Sequence, residues 1–216
     1  MTRNHHSPPP GPREQPFARS YELAREQLRQ IEDIEGQCRK SGSRLAGTND
    51  VVVNFLGQPY HISIPDAEIW LGGGKPDVPL KEKILILHYF TMARGTPPSG
   101  RLITYRQLPG GVSYLAAFSQ RAVAPLVRHF GRNPELLIER GANLGGHEAR
   151  YGDAAVTVRP FERVPITLVL WRGDDEVAPN GNVLFDGNIS DYLPTEDVTV
   201  VSETIIWRLV RQTSAA

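Results

Sequence analysis

"AAVTVRP" (154–160) and "VPITLVLW" (164–171) decide the fold class. Both stretches alternate with period two, the repeat of a β-strand. A short polar turn joins them, so together they read as an antiparallel hairpin. Upstream, "VVVNFLGQPYHISIP" (51–65) repeats the pattern around Gly57, Gln58 and Pro59, and "EIWL" (68–71) extends it until Gly72, Gly73 and Gly74 break the chain. Strands that return through tight turns build antiparallel sheets, and no alternating βαβ series is present. The class is therefore α+β.

The helices lie between and after these hairpins. Tyr21, Ala24, Leu28 and Ile31 recur at spacings of 3, 4 and 3, which predicts an amphipathic helix from Ser20 that ends near Gly36 or continues as a short turn to Lys40. "PLKEKILILHYFTMARG" (79–95) puts Leu80, Ile84, Leu87 and Thr91 on one face, with Gly95 past its end. "RLITYRQL" (101–108) is strand-like. "SYLAAFSQRAVAPLVRHFG" (113–131) is helical, with a kink or restart expected at Pro125, which has no N–H to donate. A short helix follows at "PELLIER" (134–140). Finally Thr195 reads as the cap of a helix with Glu196 and Asp197 in its first turn, Val198, Val201, Ile205 and Leu209 buried, and Thr199 exposed. The expected whole is one α+β domain over residues 17–212, with antiparallel hairpins packed by about five helices. Residues 1–16, which hold "NHHSPPPGPREQP", read as a disordered proline-rich leader.

Composition narrows the function classes. The chain has 216 residues, with 24 Lys and Arg against 24 Asp and Glu. No net field draws in nucleic acid or an anionic membrane surface, and neither is expected as a partner. The charge is unevenly spread. Residues 101–169 carry nine bases and five acids, residues 170–216 three and eight, so the two segments are expected to face each other. Cys38 is the single cysteine, which excludes an intrachain disulfide and a cysteine-built cluster and favours a reduced, cytoplasmic setting. No apolar run is long enough to span a bilayer.

The familiar signatures fail on inspection. "GGGKP" (72–76) has Pro76 where a phosphate loop needs Ser or Thr, and "GANLGG" (141–146) has Asn143 in place of the second glycine of a dinucleotide fingerprint. Neither a His-Glu-x-x-His nor a Gly-x-Ser-x-Gly motif occurs. The most concentrated feature is "GDDEVAPNGNVLFDGNISDYLPTED" (173–197), with seven carboxylates and no base. Within it Asp186, Asn188, Ser190 and Asp197 fall at positions 1, 3, 5 and 12 of a calcium loop. Asp191 replaces the required glycine, however, and Pro194 sits at position 9, so the expected role of Asp186 is to bond loop amides. His88 lies on the apolar side of its helix, which suits a buried, hydrogen-bonded histidine more than a ligand or a base. His147, beside Glu148 in a glycine-flanked loop, is accessible.

"GTPPSGRLITYRQLPGG" (95–111), "GDAAVTVRPFERVP" (152–165), "LVLWRGDDEVAP" (168–179) and "NVLFDGNISDYLPTED" (182–197) together resemble the bacterial and archaeal family known as domain of unknown function 3786. The resemblance runs from Tyr21 to Val210. It implies a single-domain protein of a family common in anaerobes, and it supplies no catalytic residues. Gln107 stands where the family pattern has an acid, and Ala178 where it has proline. Some relatives carry an N-terminal four-cysteine module, and with Cys38 alone no such cluster is implied here.

The leading functional expectation is a non-catalytic accessory module that binds an unidentified small molecule or protein, with its cofactor unknown. Its pocket is expected where "TYRQLPGG" meets the acidic stretch. Arg101 and Arg106 would oppose Asp174, Asp175, Glu176 and Asp186, and Tyr105, Trp171 and Tyr192 would supply flat faces. The alternatives are a hydrolase or transferase that pairs a carboxylate among Asp174, Asp186 and Asp197 with His88 or His147, or a weak oxygen-ligated cation site at Asp186 to Asp197. A histidine–carboxylate hydrogen bond in a cleft would separate the enzyme from the accessory module.

Overall fold

A computed structural model describes residues 15–73, 77–174 and 176–212. Residues 1–14 of the expected 1–16 leader, the "GKP" of the glycine run, Asp175 and residues 213–216 lie outside the described residues, whereas Gln15 and Pro16, expected to be disordered, are helical.

Two antiparallel sheets form. The first has four strands in chain order: β1 (Arg44–Leu45), β2 (Asp50–Phe55), β3 (Gln58–Ser63) and β4 (Ile69–Leu71). The second gathers β5 (Leu102–Thr104), β6 (His147–Glu148), β7 (Ala154–Phe161), β8 (Val164–Trp171) and β9 (Asn180–Asp186) in the order β5-β9-β8-β7-β6. Both predicted hairpins are present, β2–β3 and β7–β8, the latter with Thr157 opposite Thr167. The alternation in β7 and β8 does not mark a wet face, because both strands are buried on both sides. The two threonines pair their hydroxyls at 2.8 Å, which satisfies polar groups that burial would otherwise penalise. The sheets meet where the Leu56 amide donates to the Pro160 carbonyl at 2.8 Å and Phe55 stacks on Phe161 with ring centroids 4.8 Å apart. One continuous apolar core spans this junction.

Seven α-helical segments pack on the sheets: α1 (Gln15–Arg29), α2 (Ile34–Ser41), α3 (Leu80–Met92), α4 (Gly111–Phe118), α5 (Ala124–Phe130), α6 (Pro134–Asn143) and α7 (Thr195–Arg211). α1 begins five residues before the predicted start. α4 and α5 are two parts of one helix joined through a π-helical segment, Ser119–Val123, so the described residues hold six helices. The restart expected at Pro125 is present: the backbone widens just before it, and Pro125 sits in the first turn of the following segment, where a missing N–H costs little. α4 can start only on glycine. A Cβ on Gly111 would fall 2.0 Å from the Tyr105 carbonyl oxygen.

α3 and α7 carry the candidate site. Gln37 on α2 fixes the end of α3 by donating from Nε2 to the Phe90 carbonyl at 2.6 Å and the Ala93 carbonyl at 3.0 Å. These are carbonyls that a helix end leaves without intrahelical partners. One turn earlier, Tyr89 stacks on Phe161 at 4.0 Å, donates its hydroxyl to the Ser41 carbonyl and accepts from the Arg163 amide. Burial pushes its phenol pKa well up.

α7 is helical despite seven β-branched residues between Val198 and Ile206. Packing decides this: Val198, Val201, Ile205 and Leu209 are fully buried, as their spacing predicts. The hydroxyls of Ser202 and Thr204 are satisfied by carbonyls one turn back, at 2.7 and 2.8 Å. Two expectations fail here. Thr195 is not the cap: Pro194 holds that position, and Thr195 Oγ1 instead donates to the Pro109 carbonyl at 2.7 Å, tying α7 to the "LPGG" turn. Thr199 is buried and donates to the Tyr105 hydroxyl at 2.8 Å.

Candidate functional site

α3 and α7 run antiparallel, and their facing sides bring His88 and Asp197 together across 109 residues of chain. Nδ1 of His88 lies 2.6 Å from Oδ2 of Asp197. Asp197 stands in the first turn of α7, where the helix dipole favours a carboxylate, and it is almost fully buried. With Asp197 as the carboxylate, Nδ1–H donates the bond, and the neutral imidazole then carries its lone pair on Nε2. Among the described residues Nε2 makes no hydrogen bond.

The pair opens into a cleft of about 250 Å³ between α1, α3 and the start of α7. Phe17, Ile84, Pro194 and Val200 make its walls apolar, and Lys81, Ser20 and Glu196 stand around them. The helical repeat explains the lining, because Lys81, Ile84 and His88 follow one face of α3 while Asp197 and Val200 lie one turn apart on α7. Lys81 Nζ sits 5.1 Å over the Phe17 ring. Glu196 is drawn aside by Arg121, which bonds it at 2.7 Å and also holds Glu203 at 2.8 Å. This Arg121 bridge is where the basic middle of the chain meets its acidic tail.

Among the described residues, the side chains expected to line a pocket between "TYRQLPGG" and the acidic stretch are not brought together. Tyr105 and Tyr192 are core residues: Tyr105 stacks on Phe118 at 4.0 Å, and Tyr192 donates its hydroxyl to the Thr96 carbonyl at 2.5 Å. Arg101 and Arg106 are exposed and make no ion pair among the described residues. Trp171 is 43% exposed at the end of β8. Asp174 closes a turn by accepting from the Val177 and Glu176 amides, which lowers its pKa, and Glu176 is exposed.

Asp186 is a loop organiser. Its Oδ1 accepts from the Ser99 amide at 2.8 Å, the Ser99 hydroxyl at 2.9 Å and the Asn188 amide at 3.0 Å, and its Oδ2 accepts from the Gly100 amide at 2.8 Å. Burial pushes this carboxyl up, but the hydrogen bonds together outweigh it, and its pKa lies below the ordinary carboxylate value. Asp186 serves the 99–101 loop while Asp197 serves His88, so the calcium-loop pattern does not converge. Among the described residues no cluster of three metal-ligating side chains occurs. His147 is exposed on β6, apart from the acids proposed to pair with it.

A second histidine–carboxylate pair escaped the sequence reading. His61 Nδ1 lies 2.6 Å from Asp50 Oδ2, and its ring stacks on Trp70 at 5.3 Å. His61 faces Val52 and Asp50 faces Ser63, which makes the two diagonal neighbours on one face of the sheet.

The family model Domain of unknown function (DUF3786) matches residues 33–208, and the chain belongs to that family. No curated protein and no solved structure matches the chain. No helix among the described residues is long and apolar enough to cross a membrane.

Proposed function

We propose that the cleft between α1, α3 and α7 binds a small molecule, and that His88, oriented by Asp197, exchanges a proton with it at Nε2. The observation that carries this reading is the 2.6 Å hydrogen bond between a buried carboxylate and a histidine whose other ring nitrogen, at an apolar cleft, makes no hydrogen bond among the described residues. This is the arrangement of a base held in one tautomer by a third group. In its hydrolytic form, a proton of water passes to Nε2, the hydroxyl oxygen bonds to the acyl carbon, the carbon–oxygen bond of the ester breaks, and Nε2 returns the proton to the leaving oxygen. The same apolar walls would also suit a non-catalytic receptor, in which His88 is only a hydrogen-bonding anchor.

Turnover of p-nitrophenyl butyrate, a short apolar acyl ester, separates the two. General base catalysis predicts saturable hydrolysis that His88→Ala reduces by roughly 10²–10⁴-fold. Asp197→Asn should reduce it as well, by releasing the tautomer. Hydrolysis indifferent to His88→Ala, or no turnover at all, would assign the pair to anchoring or to architecture.

A further inference from the structure

The cleft at His88 does not end at Lys81. A second depression of about 210 Å³ continues between the first turn of α3 and the C-terminal half of α7, and it shares Lys81 and Val200 with the first. Neither part alone reaches the roughly 300–1,000 Å³ usual for a ligand pocket, whereas the joined groove does. It follows α7 from Asp197 to Arg211, a run of roughly 21 Å at about 1.5 Å per residue.

Charge along this groove is arranged unevenly. Each acid on it already has a partner: Asp197 has His88, Glu196 and Glu203 share Arg121, and Glu82 takes Arg208 at 3.5 Å and the Tyr60 hydroxyl at 3.0 Å. Lys81 and Arg211 have no acidic partner among the described residues. Half-buried Trp207 lines the same stretch and offers an apolar face beside these cations. Apolar walls therefore lie at the histidine end, and positive charge with no acidic partner among the described residues runs from Lys81 to Arg211.

We propose that the groove takes an elongated amphiphile. Its anionic head, a carboxylate or a phosphate, sits at Lys81, about 10 Å along α3 from His88, with Arg211 adding positive charge further along the groove, and its apolar body lies along Val200, Ile84 and Phe17 so that the far end meets His88. This rests on the reading of the His88 cleft as a ligand site and adds the class of ligand.

The test is calorimetric titration of the full chain at low salt with octanoate, octyl phosphate and 1-octanol, repeated on the Lys81→Ala/Arg211→Ala double variant. At least one of the two anions should bind tenfold or more tightly than octanol. The double variant should lose that advantage while keeping its affinity for octanol and its melting temperature. The ratio of octanoate to octyl phosphate then identifies the head group. Octanol binding as tightly as both anions, or an anion preference that survives in the double variant, would overturn the proposal, as would no binding of any of the three. His88 ring resonances followed in the same titrations separate the two readings. If octanol shifts them without an anion preference, only the head-group inference fails. If none of the three shifts them, the ligand site at His88 fails too.

Discussion

Replacing Asp186 with Asn changes one atom that bonds and leaves the shape intact, so its cost can be worked from the hydrogen bonds. Oδ1 keeps its role as acceptor for Ser99 and Asn188. Oδ2 becomes an NH₂ group and faces the Gly100 amide donor to donor. A buried N–H left unpaired costs about 1–3 kcal/mol, and the three surviving bonds lose the charge that made them about twice as strong. The sum is about 3 kcal/mol, measured as the difference in urea unfolding free energy near neutral pH. The pH dependence follows from the sign of the shift. The folded carboxyl titrates below its ordinary value of 3.8, so its contribution is complete above 3.8 and is lost as pH falls through the lower folded value. The gap between wild type and Asp186→Asn should therefore close in acid. Calcium should leave the wild-type melting temperature unchanged, because N–H and O–H donors already occupy the oxygens a cation would need. A loss below about 0.5 kcal/mol, the range of an ordinary surface substitution, would refute the reasoning. A gap unchanged by acid, or a calcium-dependent stabilisation absent from the variant, would do the same.

Other outcomes follow from single contacts. Thr199→Ala removes the buried donor to the Tyr105 hydroxyl and should cost about 1–2 kcal/mol, whereas Thr195→Ala gives up a more exposed bond to Pro109 and should cost about 0.5–1 kcal/mol. Chemical denaturation showing the reverse order would contradict this placement of the helix. Gly111→Ala drives a Cβ against the Tyr105 carbonyl and should cost about 3 kcal/mol or more by the same measurement. Gly57→Ala has open space and only left-handed backbone to strain it, so about 1–2 kcal/mol is expected, and equal losses would argue against the close approach of α4.

What the sequence made legible was local. Period-two alternation located both hairpins, and the spacing of Val198, Val201, Ile205 and Leu209 located the buried face of α7 against its β-branched composition. The acidic stretch attracted the site prediction because charge density is visible along a chain. Its acids turned out to close turns and hold loops, as at Asp174 and Asp186. Tyr105 and Tyr192 looked like pocket faces because a buried tyrosine and a ligand-lining tyrosine have the same sequence. His88 is hydrogen-bonded, as expected, but half-buried at the edge of the apolar side of α3, and its partner depends on the antiparallel pairing of α3 with α7, which no local pattern encodes. One signal was available: Lys81, Ile84 and His88 share a helical face on which polar groups interrupt an apolar stripe.

The most direct measurement is the tautomer and protonation site of His88, read from its ring nitrogen resonances in ¹⁵N-histidine-labelled protein across a pH titration. An oriented base requires the neutral ring to carry its proton on Nδ1, against Asp197, and to gain the second proton at Nε2. Asp197→Asn should shift the neutral ring away from that single tautomer. A neutral His88 protonated at Nε2, or a tautomer unchanged in Asp197→Asn, would contradict the account.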